Sequence, residues 1–291
     1  MNSAPWSKTP LSPGLYFVAT PIGAARDITL RALDVLASAD VIAAEDTRTL
    51  RRLMDIHGIG SGGRRMIACH DHSGAQVVAR LVQDIAAGKS VAYGSEAGTP
   101  LVSDPGFGLA RAVIAAGLPV TTVPGPSAMI AALTVAGLPT DRFLFAGFPP
   151  SARPARLRFL RELAPVPATL VFYESPRRIR ATLADCAACF GGDRRAALCR
   201  ELTKKFEQTL RGTLGDLAEA FADRDVKGEI VLLIEKGAGG SVADAESIEA
   251  ALKDALKTMR VKDAAAHVAA RLSLPRRRVY QAALAIEARG E

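Results

Sequence analysis

The sequence predicts an α/β protein with two sheet-containing domains, the first built on a parallel sheet and the second on a mixed one, followed by a small all-helical module. Three observations carry this. Strand-like and helix-like segments alternate with short connections through the first half, the pattern of a parallel sheet covered by helices. Two strand-like segments, 196–200 and 206–211, follow each other with no helix between them, which calls for a mixed sheet. Beyond a glycine-rich linker at 237–241 only helical patterning remains.

Taken in order, 15–19 reads as a buried strand and 30–38 as a helix. The apolar run 41–44 is a second strand, followed by helical 47–57. Short strands at 66–69 and 90–93 flank a helix near 74–87. A helix at 107–116 and a strand at 119–123 complete the first domain, and the changeover falls near 124–141. The second domain begins with a strand at 143–145, a helix near 154–163, a strand at 169–173 and a helix at 177–190. The paired strands 196–200 and 206–211 come next, then a helix near 214–221 and a strand at 229–235. These elements divide the chain into a disordered leader (1–13), an N-terminal α/β domain (14–127), a second α/β domain (128–236) and a C-terminal helical, helix-turn-helix-like module (242–291).

The chain has 291 residues, 49% hydrophobic and 23% charged. That balance belongs to a globular protein and excludes a wholly disordered or fibrous one. Mean hydropathy is +0.15, but no run approaches the roughly 20 apolar residues that a membrane span needs. The segment 1–13 is polar and proline-rich, with no apolar core of a signal peptide, so a cytoplasmic protein with reduced cysteines is expected. Net charge is +7 and the pI about 9.5, which favours an anionic partner.

Several motif look-alikes fail their context. Gly58-Ile-Gly60-Ser-Gly62-Gly63 fits the dinucleotide fingerprint on paper but follows a helix instead of a strand. Gly88-Lys89-Ser90 resembles the end of a P-loop, but Gln83 stands where its first glycine belongs. No HExxH or GxSxG occurs, and Cys186 and Cys189 form a lone CxxC inside a helical stretch. No metal site is expected.

Chemistry is expected where turn-rich and polar segments end the strands, since open α/β sheets bind ligands at the carboxyl ends of their strands. Five such loops occur in the first domain: 20–23 (TPIG), 45–48 (EDTR), 70–72 (HDH), 95–106 (SEAGTPLVSDPG) and 124–128 (PGPSA). Gly98 and Gly125 would let backbone approach a ligand closely, and Ser127 suits a helix N-cap. In the second domain, 173–178 (YESPRR) and 200–207 (RELTKKFE) mix acids and bases at turns.

The segments YFVATPIG, DITLRAL, IAAEDTR, AGTPLVSDPG, VPGPSA, GLPTDRFLF, FYESPRR and RELTKKFE occur in this order. Together they resemble the ribosomal RNA small subunit methyltransferase I family, the RNA-acting branch of the tetrapyrrole methylase superfamily. The resemblance spans about 14–235, and the tail is similar to the family's helical C-terminal module. It implies a two-domain tetrapyrrole-methylase-like fold and a homodimer. The implied activity is S-adenosylmethionine-dependent methylation of a cytidine ribose 2′-hydroxyl in small-subunit ribosomal RNA, with the cofactor in the cleft between the α/β domains. Carried over residue by residue, cofactor contacts fall at Pro21, Glu96, Ala97, Thr99, Ser127 and Ala128, with Tyr173, Glu174, Glu229 and Ile230 completing the pocket. Gly98 joins them through its expected close approach. The chain departs from the family's usual pattern at Ala24 (for Asn), Asp71 (for Glu), Glu96 (for Asp) and Arg178 (for His).

A ribose hydroxyl is a weak acid, so a base or an oxyanion-stabilising cation would assist transfer. Glu45, Asp46 and Glu201 are the candidate bases; Arg48, Arg177 and Lys204 are the candidate cations. For RNA, Arg153, Arg156, Arg158 and Arg161 offer phosphate contacts in a stretch without acids. The tail reads as helices 261–271 and 275–288 around the short turn 272–274. Its span 253–278 carries eight basic residues against Asp254 and Asp263. Arg276, Arg277 and Arg278 open the last helix, a position the helix dipole disfavours for cations unless an anion is bound. Two rival readings are a methyltransferase acting on a small tetrapyrrole and a non-enzymatic nucleic-acid-binding protein.

Overall fold

The central strands of the first half are apolar on both faces, so each must be covered twice. β1 (Gly14–Val18), β2 (Val41–Ala44) and β4 (Ser90–Gly94) are buried almost throughout. With β3 (Arg65–Ala68) and β5 (Val120–Val123) they form an all-parallel sheet of order β3-β2-β4-β1-β5. Helices α1 (Leu30–Ser38) and α2 (Thr47–Ile56) cover one face, where Leu36, Leu50 and Met54 pack on Val18, Ile42 and Ala92. Helices α3 (Ala75–Ala86) and α4 (Phe107–Ala115) cover the other, where Leu81, Ile85, Leu109 and Val113 meet Leu15, Phe17, Val91 and Tyr93. The alternation of Phe17 and Val18 between the two clusters is the period of two that a strand imposes. The computed structural model describes residues 5–70, 73–222, 226–237, 242–272 and 276–288.

The next helix, α5 (Ala128–Ala136), belongs to the second sheet: Ala132, Leu133 and Ala136 pack on Val171, Ala197, Val231 and Leu233. That sheet contains β6 (Phe143–Phe145), β7 (Thr169–Glu174), β8 (Arg195–Arg200), β9 (Gln208–Thr213) and β10 (Ile230–Ile234) in the order β6-β7-β10-β8-β9. Its β6–β7 pair is parallel and the others antiparallel, so the sheet is mixed as expected. The opposite face is covered by α6 (Arg153–Leu163), α7 (Ile179–Phe190) and α8 (Leu214–Ala220) through Leu160, Leu183, Leu214 and Leu217. Cys186 lies in this core, and burial raises its thiol pKa.

Two expectations need correction. The leader is not free of structure over 5–13: the Trp6 indole N–H donates to the His57 carbonyl at 2.9 Å, the Ser7 amide donates to Asp34, and Leu11 packs on the first core. One large apolar ring offsets the polar composition around it. Strand β9 begins at Gln208, not at 206, because the Thr203 amide donates to the Glu207 carboxylate and the Glu207 amide to the Lys204 carbonyl, closing a turn first.

Residues 236–291 form a separate unit. There α9 (Val242–Leu256), α10 (Val261–Arg271) and α11 (Arg276–Ala288) share a core of Ile248, Leu252, Val268, Val279, Ala283 and Ile286. The turn residues Ser273, Leu274 and Pro275, most of the linker 237–241, and Asp71 and His72 of the HDH loop lie outside the described residues. Among the described residues no helix is long and apolar enough to cross a membrane.

Candidate active site

The carboxyl ends of β1, β4 and β5 bring three of the five loops together, and hydrogen bonds stitch them. Thr20 and Gly98 exchange both backbone bonds, at 2.9 and 3.0 Å. The Thr99 hydroxyl donates to the Pro126 carbonyl at 3.0 Å. Gly98 has φ +79°, a conformation L side chains rarely adopt, and a Cβ there would stand 3.4 Å from Ile22 Cγ2. The second sheet supplies a facing wall from the end of β7, the turn after it, and the start of β10. Between these loops lies a cavity of about 360 Å³.

Ala97, Gly98, Thr99, Ser127 and Ala128 line this cavity from the first sheet's side. Tyr173, Glu174, Glu229 and Ile230 line it from the other. Pro21 and Glu96 do not line it; Ile22, next to Pro21, does. Ser127 takes the N-cap position of α5 with extended backbone, but its hydroxyl makes no cap bond. The Met129 amide instead donates to the Tyr173 hydroxyl, at 3.2 Å, so the aromatic wall is fastened to the helix start. Burial raises the phenol pKa of Tyr173.

The charged groups are distributed unevenly. The Glu174 carboxylate is buried, accepts from the Thr182 hydroxyl at 2.6 Å and the Ser175 amide at 2.7 Å, and pairs with Arg178 at 2.7 Å. Arg178 also reaches the Pro149 carbonyl, so the residue that departs from the family pattern has a structural use. Lys204 Nζ bridges Glu201 at 3.1 Å and Glu229 at 2.9 Å, and the Glu229 amide donates to Glu201 as well. The Glu229 amide and Lys204 hold the Glu201 carboxyl below its ordinary pKa. Thr203 Oγ1 accepts from the Ala24 amide at 3.0 Å. At Gly23 a Cβ would fall 2.6 Å from Thr203 Oγ1 and from Lys204 Cγ, so the two walls touch where only glycine fits.

The remaining candidate catalytic residues are placed differently. Asp46 caps α2, accepting from the Arg48 amide and guanidinium at 2.8 Å, which pull its carboxyl down to about 2. Neither Asp46 nor Arg48 lines the cavity. Arg177 is exposed in the turn before α7. Glu45 follows β2, and its charge acts on Asp104.

Asp104 is the group that motif reading did not single out, although it lies in the SDPG part of the fourth loop. It lines the cavity, and its Oδ2 is buried without a hydrogen-bond partner. Burial, then the charges of Glu45 and Glu96, push its carboxyl up to about 7. The described non-glycine residues with left-handed backbone, Leu101, Ser103, Glu201 and Thr203, all fall in the two loops that carry Asp104 and Lys204. Strain of this kind collects at functional sites.

Of the arginines expected to meet RNA, Arg156 is corrected. Its side chain is 5% exposed, pairs with the buried Asp185 at 2.7 Å and donates to the Ser151 carbonyl. Arg153 shares Asp185 from an exposed position, while Arg158 and Arg161 are exposed on α6. In the C-terminal unit Arg276 is exposed; the side chains of Arg277 and Arg278 lie outside the described residues.

Residues 14–218 match the family model of tetrapyrrole (corrin/porphyrin) methylases, and residues 242–287 match that of the RsmI C-terminal HTH domain. A protein of Mesorhizobium japonicum named ribosomal RNA small subunit methyltransferase I is 52% identical over 77% of this chain and 76% of its own. One of the same name from Xylella fastidiosa is 44% identical over 92% of this chain and 98% of its own. In fold, the methyltransferase CobJ superposes with a TM-score of 0.59 at 21% identity, over 78% of this chain and 95% of that one. By these matches the chain belongs to the ribosomal RNA small subunit methyltransferase I family, within the tetrapyrrole methylases.

Proposed function

We propose that the protein transfers a methyl group from S-adenosylmethionine to a cytidine ribose 2′-hydroxyl of small-subunit ribosomal RNA. One observation carries this reading: five of the eight segments quoted above for the family resemblance, far apart in the chain, line one cavity of about 360 Å³. The residues present fit the cofactor. The volume is within the usual range for a drug-sized ligand, roughly 300–1,000 Å³. Small side chains and bare backbone at Ala97, Gly98 and Ala128 leave room for close contact, and Asp104 Oδ2 offers an unused acceptor.

When bound, the cofactor supplies an electrophilic methyl group on a sulfonium. The chain's own task is to bind, orient and exclude water. Gly98, Thr99, Ser127 and Ala128 hold the cofactor from one side; Tyr173, Glu229 and Ile230 close on it from the other. Glu174 acts through Arg178, as a support for this second wall. Among the candidate bases, Asp46 is committed to its helix cap and Glu201 to Lys204, and Glu45 at the end of β2 is the third candidate. Lys204 and Arg177 lie on the second wall's loops, where the RNA backbone would enter.

The division 14–127, 128–236 and 242–291 assigns the cavity to the first two domains and RNA capture to the third together with α6 of the second. Exposed Arg153, Arg158 and Arg161 on α6 and Arg276 on α11 provide phosphate contacts. The family resemblance implies a homodimer, and the proposed site of action is the cytoplasm. The test is a map of ribose 2′-O-methylation on small-subunit ribosomal RNA from cells with and without the protein. Loss of one cytidine modification is expected; an unchanged map would overturn the reading.

A further inference from the structure

The ionisable side chains lining the cavity are Asp104, Glu174, Tyr173 and Glu229, with no lysine or arginine among them. Two of the three acids are already answered, Glu174 by Arg178 and Glu229 by Lys204. Asp104 is not: its Oδ2 is buried and unpartnered. The groups that face it are Glu45 from the end of β2, Glu96 from the end of β4, and Tyr173 from β7. All three are acids or a phenol, so among the described residues none of the groups acting on Asp104 is a cation. A buried carboxylate without a partner is costly, so Asp104 either keeps a proton or meets a cationic ligand.

Resting on the cofactor reading above, we propose that Asp104 is the residue by which the cavity distinguishes the charged methyl donor from the spent product. The donor carries a sulfonium cation. Transfer forms an oxygen–methyl bond, breaks the sulfur–methyl bond and leaves a neutral thioether, while the hydroxyl proton is released. The attraction to Asp104 is therefore lost in the same event, and the product is held less firmly than the donor. The raised carboxyl of Asp104 supports this. In the ligand-free protein Asp104 holds a proton around neutrality, and a bound cation displaces it. Donor binding is then coupled to proton release and strengthens as pH rises, whereas product binding is not.

The test is calorimetric titration of the full-length protein with S-adenosylmethionine and with S-adenosylhomocysteine, from about pH 6 to about pH 7.5. Two buffers of different ionisation enthalpy report the protons released. For a group titrating near 7, donor affinity should rise roughly eightfold across that range, with up to about one proton released, while product affinity stays nearly flat. In Asp104→Asn, of the same shape but without the charge, the preference for donor over product should shrink and the proton release vanish. The wild-type series stands by itself if that variant does not fold. Donor and product sharing one pH dependence would overturn the proposal and leave the cofactor reading intact. Failure of both ligands to bind at any pH would overturn the two together.

Discussion

The cavity has two walls built on different principles. The wall from the first sheet is held by backbone: Thr20 and Gly98 pair like strands, Thr99 anchors Pro126, and the side chains turned to the cavity are small or unanswered. The wall from the second sheet is held by charge, through Glu174–Arg178 and Glu201–Lys204–Glu229. Hydrogen bonds between main-chain atoms leave side chains available to a ligand, whereas an ion pair consumes the very groups that could have met one. The contrast teaches that a polar residue beside a cavity is a ligand contact only if its own partners leave it an atom to offer. Asp104 passes this test and Glu174 does not.

The strongest way to break the contrast is to remove a charge from the second wall. Arg178→Ala leaves the Glu174 carboxylate buried without its cation, which should cost about 3–5 kcal/mol and show as a large fall in Tm. Arg178→His, restoring the residue usual in the family, should recover part of it. An unchanged Tm for Arg178→Ala would mean that the pair does not hold this wall. On the first wall the expected damage is to binding more than to folding. Gly98→Val forces a branched side chain into left-handed backbone, at about 1–3 kcal/mol. S-adenosylmethionine affinity should fall at least about tenfold in calorimetry while the far-ultraviolet circular dichroism is retained.

These two positions also show what could be read from the chain. The alternation of apolar strands with helices was legible because burial on both faces writes a continuous apolar run, and Gly98 was legible because a turn written AGTP tolerates few backbones. The use of Glu174 was not. Its partner Thr182 lies on α7 and contributes a hydroxyl at 2.6 Å, which no local pattern encodes. Arg156 was misread for the same reason: four arginines look alike in sequence, and only the fold puts Asp185 beneath one of them. Asp104 sat unnamed inside a loop already expected to bind ligand, since its raised carboxyl depends on burial and on Glu45 from another strand end.

A finer probe uses acid–base linkage in the ligand-free protein. The folded-state value for Asp104 is pushed up to about 7 from an ordinary 3.8, so the folded protein binds a proton that the unfolded chain has released. This contribution is full below the ordinary value and is lost as pH rises towards the folded one. Asp104→Asn should therefore raise Tm relative to wild type above neutrality and change it little in acid. A variant less stable than wild type at all pH values would place Asp104 among the structural acids of the second wall. The smallest effect belongs to Lys204, which is partly exposed. Lys204→Ala should cost only about 0.2–1 kcal/mol by denaturant unfolding and leave cofactor affinity unaltered. A larger loss would show that the charge bridge carries more of the second wall than its exposure allows.

The most direct test of the two-wall account is hydrogen–deuterium exchange on the full chain with and without S-adenosylmethionine. Protection is expected in 20–23, 95–106 and 125–129 on one side and in 173–176 and 228–231 on the other, with 242–288 unaffected. Protection centred on the helical tail, or on α2 with Asp46 and Arg48, would contradict it.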